Sequence, residues 1–518
     1  MRGAPASIQM NVICIMMDTF RRDHMSCYGN PWIQTPNLEA FARGGARFDN
    51  AYIGSYPCMP ARQDLWTGRL NFLRRGWSPL EYDQDDLVTL VKQHEHVSML
   101  ITDHYHLWQY GSGNYHFGFD GVEMIRGQEA DNWITNADIP IDYPASPEKL
   151  NRNWAKYRRN TKHFRAEEDY FAGQVFQKAM DWVEHNQTLE DFFLLIDNFD
   201  PHEPFDPPAS YADLYNPGYQ GESIIWPRYG TADRFSPDEL KQIHALYCGE
   251  VTYVDHWFGK FYRKLQELNL LEDTMVIVTS DHGFLFGEHN WVGKHARILY
   301  HDIARTPLLV QAPGIAPGTV YNELVQMADL TPTILDALEI HVPQSIQGCS
   351  LLPLWQAGAS AGDDIRSRHE ILFGVFGGPM YCTDGEWLLV KKPREGNHPL
   401  YWYTRSHYNN WDFGQQNFSE DAKERLKIWD GNRFPVQYEN AHPGHAAPAM
   451  LRRPEDYRTH IQKPEDELYH IASDPLQQSD KKNTNRAVLA HMKQLMSASM
   501  EKLDAPEEQW ARLGLARR

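Results

Sequence analysis

Short runs of uninterrupted apolar residues alternate along the N-terminal part of this chain with stretches whose apolar positions recur at helical spacing. Asn11 to Met17 (NVICIMM) shows no polar face, the pattern of a strand buried on both sides. Val97 to Ile101, Phe192 to Ile196, Thr274 to Thr279 (TMVIVT) and Pro307 to Gln311 are predicted as further strands. Between them, Thr35-Pro36 offers a cap and a first-turn proline and Gly44-Gly45 a stop, so Pro36 to Arg43 reads as a helix. Asp169 to Asn186 carries Phe171, Val175, Phe176, Trp182 and Val183 at helical spacing. The clearest helix opens at Ser236-Pro237-Asp238-Glu239, a capping box. It carries Leu240, Ile243, Tyr247, Val251, Val254, Phe258 and Leu265 as one apolar stripe. Thr331 to Leu338 is predicted as a helix with proline near its start. Such alternation predicts an α/β fold around a large, mostly parallel, helix-covered sheet.

The pattern changes after about Asp364. Ile371 to Phe376, Met380 to Cys382 and Trp387 to Lys391 read as strands, with Asp384-Gly385 as a hairpin turn. Ala487 to Leu503 reads as a closing helix with Val488, Met492, Leu495 and Leu503 on one side. Residues 1–365 are therefore expected to form the α/β domain and residues 366–518 a smaller α+β domain containing an antiparallel sheet. Tyr105 to Arg165 and Pro393 to Pro464 fit neither pattern and are rich in Trp, Tyr, His, Asn and Pro. Long irregular stretches of this kind are substrate loops or surface insertions, and both readings stay open.

Charge narrows the partners. Lysine and arginine number 50 against 69 aspartates and glutamates among 518 residues, a formal net charge of -19. Such a balance argues against nucleic acid or an anionic membrane, while a small anion held by a few local cations stays open. No stretch approaches the roughly 18–20 apolar residues of a membrane span. Met10 to Met17 is short for a signal peptide and no small-residue cleavage site follows it, which predicts a cytoplasmic protein. Six cysteines without a C-x-x-C pair predict neither a disulfide framework nor a zinc site. Oligomeric state is open, a homo-oligomer included.

Chemistry concentrates in Ser55-Tyr56-Pro57-Cys58-Met59-Pro60-Ala61-Arg62-Gln63-Asp64-Leu65-Trp66-Thr67-Gly68-Arg69. Pro60 suits a helix start, which puts Cys58 at or just before an N-terminus whose free N–H groups favour an anion. Arg62 follows at i+4 and can return over the first turn toward the same spot. A nucleophile, a guanidinium and a helix terminus together suit an oxyanion with several oxygens. An inert buried cysteine is the plainer alternative. The string C-x-P-x-R followed by L-x-T-G-R resembles the signature of the sulfatase family. In that family a separate maturation enzyme oxidises the cysteine to formylglycine.

The resemblance extends over most of the chain. Asp18-Thr19, at the end of the first strand, and Asp281-His282, after the Thr274 to Thr279 strand, look like the metal-binding segments of the sulfatase and alkaline-phosphatase superfamily. Acidic residues converging beyond the carboxyl ends of parallel strands make an oxygen-rich site for a hard divalent cation. The implied ligands are Asp18, Thr19, matured Cys58, Asp281 and His282. Ca2+ is the family default, with Mn2+ or Mg2+ as alternatives. Thr19 stands where many sulfatases have a second aspartate, and His282 where asparagine is common. His104 and His106 resemble the family's lysine-x-histidine segment, with His104 in the lysine's place. Pro201-His202-Glu203-Pro204-Phe205 resembles its P-H-x-P-F segment and Gly293-Lys294-His295 its G-K-H segment.

What the resemblance implies is an alkaline-phosphatase-like fold and hydrolysis of an aryl or carbohydrate sulfate monoester. A hydrated formylglycine would attack sulfur, while Arg62, Lys294 and the cation neutralise the transferring group. His202 with Lys294 would protonate the leaving alcohol, and His106 would deprotonate the remaining hydroxyl to release sulfate. Two rivals remain. One is a phosphonate monoester or phosphodiester hydrolase of the same superfamily, which Asp281-His282 favours. The other is a non-catalytic binding protein whose Cys58 is never matured. Substrate-contacting residues are not identified by any motif. Trp108, Tyr110, Trp133, Trp154, Trp402 and Trp411 are candidates either for stacking or for the core.

Overall fold

The computed structural model describes residues 10–81, 85–109, 111–136, 138–295, 298–355, 368–404, 439–440, 451–454 and 465–517. An eight-stranded sheet forms the centre. Its strands are β1 (Asn11–Met17), β2 (Ala46–Tyr52), β3 (Ser98–Thr102), β4 (Gly121–Met124), β5 (Phe193–Asn198), β6 (Thr274–Thr279), β7 (Leu308–Gln311) and β8 (Thr319–Gln326). They lie in the order β8-β2-β7-β6-β1-β5-β3-β4, and only β7 runs antiparallel to its neighbours. The principal helices around it are α1 (Pro36–Gly44), α2 (Cys58–Thr67), α3 (Phe171–His185), α4 (Pro237–Glu267) and α5 (Leu330–Ala337).

The continuous apolar run of β1 explains why both faces are covered. Ile13, Ile15 and Met17 enter a core shared with α1, α3 and α4, whereas Val12, Cys14 and Met16 enter one shared with α2 and α5. The expected mostly parallel sheet is therefore present, with one reversed strand. β2 and β8 carry no apolar run (ARFDNAY and TVYNELVQ). Their mixed burial suits an edge pair, and that is why periodicity does not announce them. The irregular stretch from Tyr105 to Arg165 holds β4 and a short helix, Trp154–Asn160.

A second sheet is antiparallel, in the order β9 (Ile371–Gly374), β10 (Met380–Thr383), β11 (Trp387–Lys391) and β12 (Glu467–His470). Helix α6 (Arg486–Lys502) covers one face with Met492, Met496 and Met500. The other face packs Ile371, Phe373 and Tyr381 against Tyr52, Ile53 and Tyr56. Gly374 N donates to Gly54 O and Tyr56 N to Gly374 O, each at 3.0 Å, so the small sheet braces the loop that leads to Cys58. The expected boundary at residue 365 lies in 356–367, outside the described residues. Among the described residues no helix is long and apolar enough to cross a membrane. All six cysteines are free of disulfides.

Candidate active site

The parallel strands β6, β1, β5 and β3 are neighbours and end on one edge of the sheet. Asp281, Asp18, Asp197 and His104 lie at or just past those ends, where ligands of open α/β sheets bind. Cys58 is the first residue of α2 and is buried, so the helix N-terminus faces the same edge.

Asp64, inside α2, fixes the approach to Cys58. It accepts hydrogen bonds from Ser55 N (2.6 Å), Ser55 Oγ (2.8 Å), Asn71 N (2.9 Å) and Asn71 Nδ2 (3.0 Å). Asp64→Ala would orphan buried donors at about 1–3 kcal/mol each. We expect a stability loss of about 3 kcal/mol, read as a lowered urea midpoint at unchanged slope.

Arg62 is fully buried and reaches three carboxylates. Its Nε and Nη2 bond Asp197 at 2.9 and 2.6 Å, while Nη1 bonds Asp281 at 2.7 Å and stands 3.1 Å from Asp18. Nη1 also lies 3.3 Å from Cys58 O, so the guanidinium has returned over the first turn of its helix. Thr19 occupies the left-handed region at φ 62°. From there its N–H donates to Asp281 Oδ1 (3.0 Å) and its hydroxyl to Asp18 Oδ1 (2.7 Å). In this arrangement Thr19 orients both carboxylates.

Ligand atoms of Asp18, Cys58, Asp281 and His282 all lie within 4.8 Å of one another. His282 Nδ1 is 3.0 Å from Gly283 O, which can only accept. The proton therefore sits on Nδ1, and the Nε2 lone pair faces Cys58 Sγ at 3.4 Å. Burial pushes His282 down to about 4, keeping it neutral. Three carboxylates against one guanidinium leave two uncompensated negative charges where no side chain exceeds 1% exposure. That deficit is costly in a buried volume. Without an ion, burial and the neighbouring Asp281 push the Asp18 carboxyl well up, and its Oδ2 makes no hydrogen bond. In Asp281 burial is outweighed by the Arg62 charge and by hydrogen bonds from Asp18 and Thr19 N, which hold it low. A divalent cation fits this donor set in both charge and chemistry. Burial and the Asp18 carboxylate also push the Cys58 thiol well up, so the unmodified side chain is a protonated thiol.

The remaining predicted residues gather around Phe199, whose ring centroid lies 4.0 Å from His202, 4.8 Å from His104 and 6.1 Å from His106. His104 Nε2 is 3.2 Å from Asp18, and burial followed by the Arg62 charge holds it well below its ordinary range. His106 Nε2 faces Glu129 at 3.3 Å, leaving a buried Nδ1 without a hydrogen-bond partner. His202 Nδ1 donates to Glu203 O at 2.5 Å, and its Nε2 accepts from Lys294 Nζ. Burial and Lys294 keep His202 neutral. In Lys294 burial is outweighed by Glu203, 3.3 Å away, so the ammonium is firmly charged.

Sequence reasoning missed Asp197, Glu129, Glu203 and Phe199 as members of this site. Asp197 carried a signal, since it ends a predicted strand in the same way that Asp18 does. Glu129 carried none, because it sits in the irregular stretch with φ 46°. Of the aromatic candidates, Trp154 is 3% exposed and donates its indole N–H to Asp142 O at 2.8 Å, so it belongs to the core. Trp133 is 41% exposed, and Trp402 packs edge-on against Phe376. Trp108 is half-buried beside Arg126, while Tyr110 and Trp411 lie outside the described side chains.

The family model for sulfatases matches residues 10–340. This chain belongs to the sulfatase family. An arylsulfatase of Clostridium perfringens is 27% identical over 402 residues, covering 69% of this sulfatase and 81% of the relative. An N-acetylglucosamine-6-O-sulfatase of Bacteroides thetaiotaomicron is 27% identical over 397 residues, covering 66% and 70%. A protein solved with its substrate D-glucosamine-2-N,6-O-disulfate superposes with a TM-score of 0.65 at 17% identity, covering 96% of this chain and 99% of that one. A phosphonate monoester hydrolase of Agrobacterium radiobacter gives 0.64 at 18% identity, covering 95% and 96%. The expected alkaline-phosphatase-like fold and sulfatase family are thus both found, and the protein is an enzyme of sulfate esters.

Proposed function

We propose that this sulfatase hydrolyses an aryl or carbohydrate sulfate monoester at Cys58 after a separate maturation enzyme converts that residue to formylglycine. The observation that carries the reading is the convergence of Cys58 with Asp18, Asp281 and His282 inside one 4.8 Å cluster, with Arg62 bonded across it. Matured Cys58 supplies a hydrated aldehyde, one hydroxyl to attack sulfur and a second through which the aldehyde is restored. Asp18, Asp281, His282 and matured Cys58, with the Thr19 hydroxyl beside them, would hold a divalent cation, which when bound would supply charge neutralisation to the reacting group. Arg62 and the N-terminus of α2 hold the sulfuryl oxygens. Lys294 bears the proton for the leaving alcohol, and neutral His202 accepts from and aims the ammonium. His106 offers Nδ1 as the proton acceptor, with Glu129 fixing its other nitrogen.

The carbohydrate arm is supported by the relative named for N-acetylglucosamine-6-O-sulfate chemistry and by the disulfated glucosamine bound in a structural neighbour. Six unbridged cysteines favour a reducing, cytoplasmic setting. Chelation is expected to abolish turnover, and Ca2+ or Mn2+ added back separately should restore it to different degrees, naming the ion. The ester class is tested by kcat/KM on matched aryl sulfate, aryl phosphodiester and aryl phosphonate substrates, together with a panel of sulfated sugars. Sulfate monoesters should lead. A strong preference for the diester or phosphonate would replace this reading with the one that His282 favours.

A further inference from the structure

A second cluster of ligand-type side chains lies apart from the reaction site. His244 and Cys248 stand one turn apart on α4, an i, i+4 pair that can offer two donor atoms to one ion. His24, from the turn Arg22–His24, completes the group. Its Nε2 is 2.7 Å from His244 Nε2, and donor atoms of all three residues lie within 4.8 Å of one another.

The surroundings of His24 prepare it as a ligand. Asp23 Oδ1 lies 2.9 Å from His24 Nδ1, and Arg21 holds the same carboxylate through Nε at 2.9 Å and Nη2 at 2.6 Å. A carboxylate on Nδ1 keeps the proton there and turns the Nε2 lone pair outward, as behind many metal-bound histidines. Two imidazole nitrogens at 2.7 Å then require a proton or a cation between them. Rings of Trp32, Tyr247 and Phe286 surround His24 at 5.6, 5.3 and 6.3 Å, and the imidazole of His24 is buried. His244 is half-buried and Trp32 is 47% exposed, so the cluster is reached from the surface.

We propose that His24, His244 and Cys248 form a second cation site for a borderline-soft ion such as Zn2+, with an open fourth position for water. Zinc bonds of about 2.0–2.3 Å place tetrahedral donor atoms about 3.3–3.7 Å apart, which small side-chain rotations reach. Two imidazoles and a thiolate differ in kind from the oxygen-rich group at Asp18 and Asp281, so the two sites sort ions by softness. Tyr247, between the two α4 ligands, accepts from Arg21 N at 2.8 Å and donates to Thr19 O at 3.0 Å. An ion here would clamp the Thr19–His24 segment to α4 and steady the loop that carries Asp18. No spacing motif reveals the group, because His24 and His244 are 220 positions apart.

Co2+ titration of the Cys58→Ala full-length protein provides the test, since that background removes the thiol of the other cluster. One equivalent of Co2+ should give a sulfur-to-cobalt charge-transfer band in the near ultraviolet, and Zn2+ should displace it. Adding Cys248→Ala or, at the half-buried position, His244→Gln should abolish the band while far-ultraviolet circular dichroism stays native. Zn2+ should also raise the thermal unfolding midpoint of Cys58→Ala but not of Cys58→Ala/Cys248→Ala. Absence of a thiolate band, or a band that survives either added substitution in folded protein, would overturn the proposal. The two histidines would then be a proton-sharing pair.

Discussion

Arg62→Ala is expected to remove about 3–5 kcal/mol of stability, because it leaves Asp18, Asp197 and Asp281 buried together without their shared cation. Turnover should fall by about 10²–10³ or more, the usual effect of losing a preorganised charge partner of the transferring group. The loss of stability follows from geometry. The bidentate pair with Asp197 and the bond to Asp281 are made by one rigid fork, and no neighbouring side chain can replace all of these contacts. Arg62→Lys would keep the charge but not the fork, and should fall between wild type and alanine. Urea unfolding with and without a divalent cation reads both variants. An ion should recover part of the lost stability, since it supplies charge to the same carboxylates. A variant within about 1 kcal/mol of wild type would mean that those carboxylates are not ionised together.

Cys58→Ser should separate attack from release. Serine keeps an oxygen nucleophile at the start of α2 beside Arg62, so sulfuryl transfer to it remains geometrically possible. What it lacks is the second hydroxyl of a hydrated aldehyde. Release would then require water to attack the enzyme-bound sulfate ester. The expected result is a burst of alcohol of about one equivalent followed by steady turnover reduced by at least about 10³-fold, with sulfate found on the peptide that contains position 58. Cys58→Ala should give neither burst nor turnover. A Cys58→Ser enzyme with wild-type steady-state rate would remove any need for formylglycine.

The periodicities that made the fold legible were the strongest ones. β1 and β6 are continuous apolar runs because both faces are covered, and α4 begins at its capping box as expected. β2 and β8 were not legible, since the edge strand β8 and its neighbour β2 are only partly buried and carry little hydrophobic signal. The same division holds at the site. Asp18, Cys58, Arg62, Asp281 and His282 stand on strand ends or a helix start, where local sequence fixes position, and the fold brings them together. Glu129 enters through an irregular segment, and although Phe199 directly follows β5, the approach of both to His106 depends on tertiary packing. Thr19 shows the limit of reading residue type. Its left-handed backbone directs its N–H to Asp281 and its hydroxyl hydrogen to Asp18, a placement beside the proposed ligands that residue type alone does not reveal.

Global charge was the weakest guide. A chain of net charge -19 gathers Arg62, Lys294 and a helix terminus at one edge of its sheet. The same edge carries an acidic excess of its own, Asp18, Asp197 and Asp281 against Arg62, so a bound divalent cation is what would turn the site toward an anion.

Mass spectrometry of the Cys58 peptide, from protein made in its native host and shown active on a sulfate ester, tests the proposed chemistry most directly. The predicted result is an aldehyde at position 58, the thiol sulfur replaced by oxygen with loss of two hydrogens, in proportion to specific activity. A fully active preparation carrying only an unmodified Cys58 thiol would contradict it.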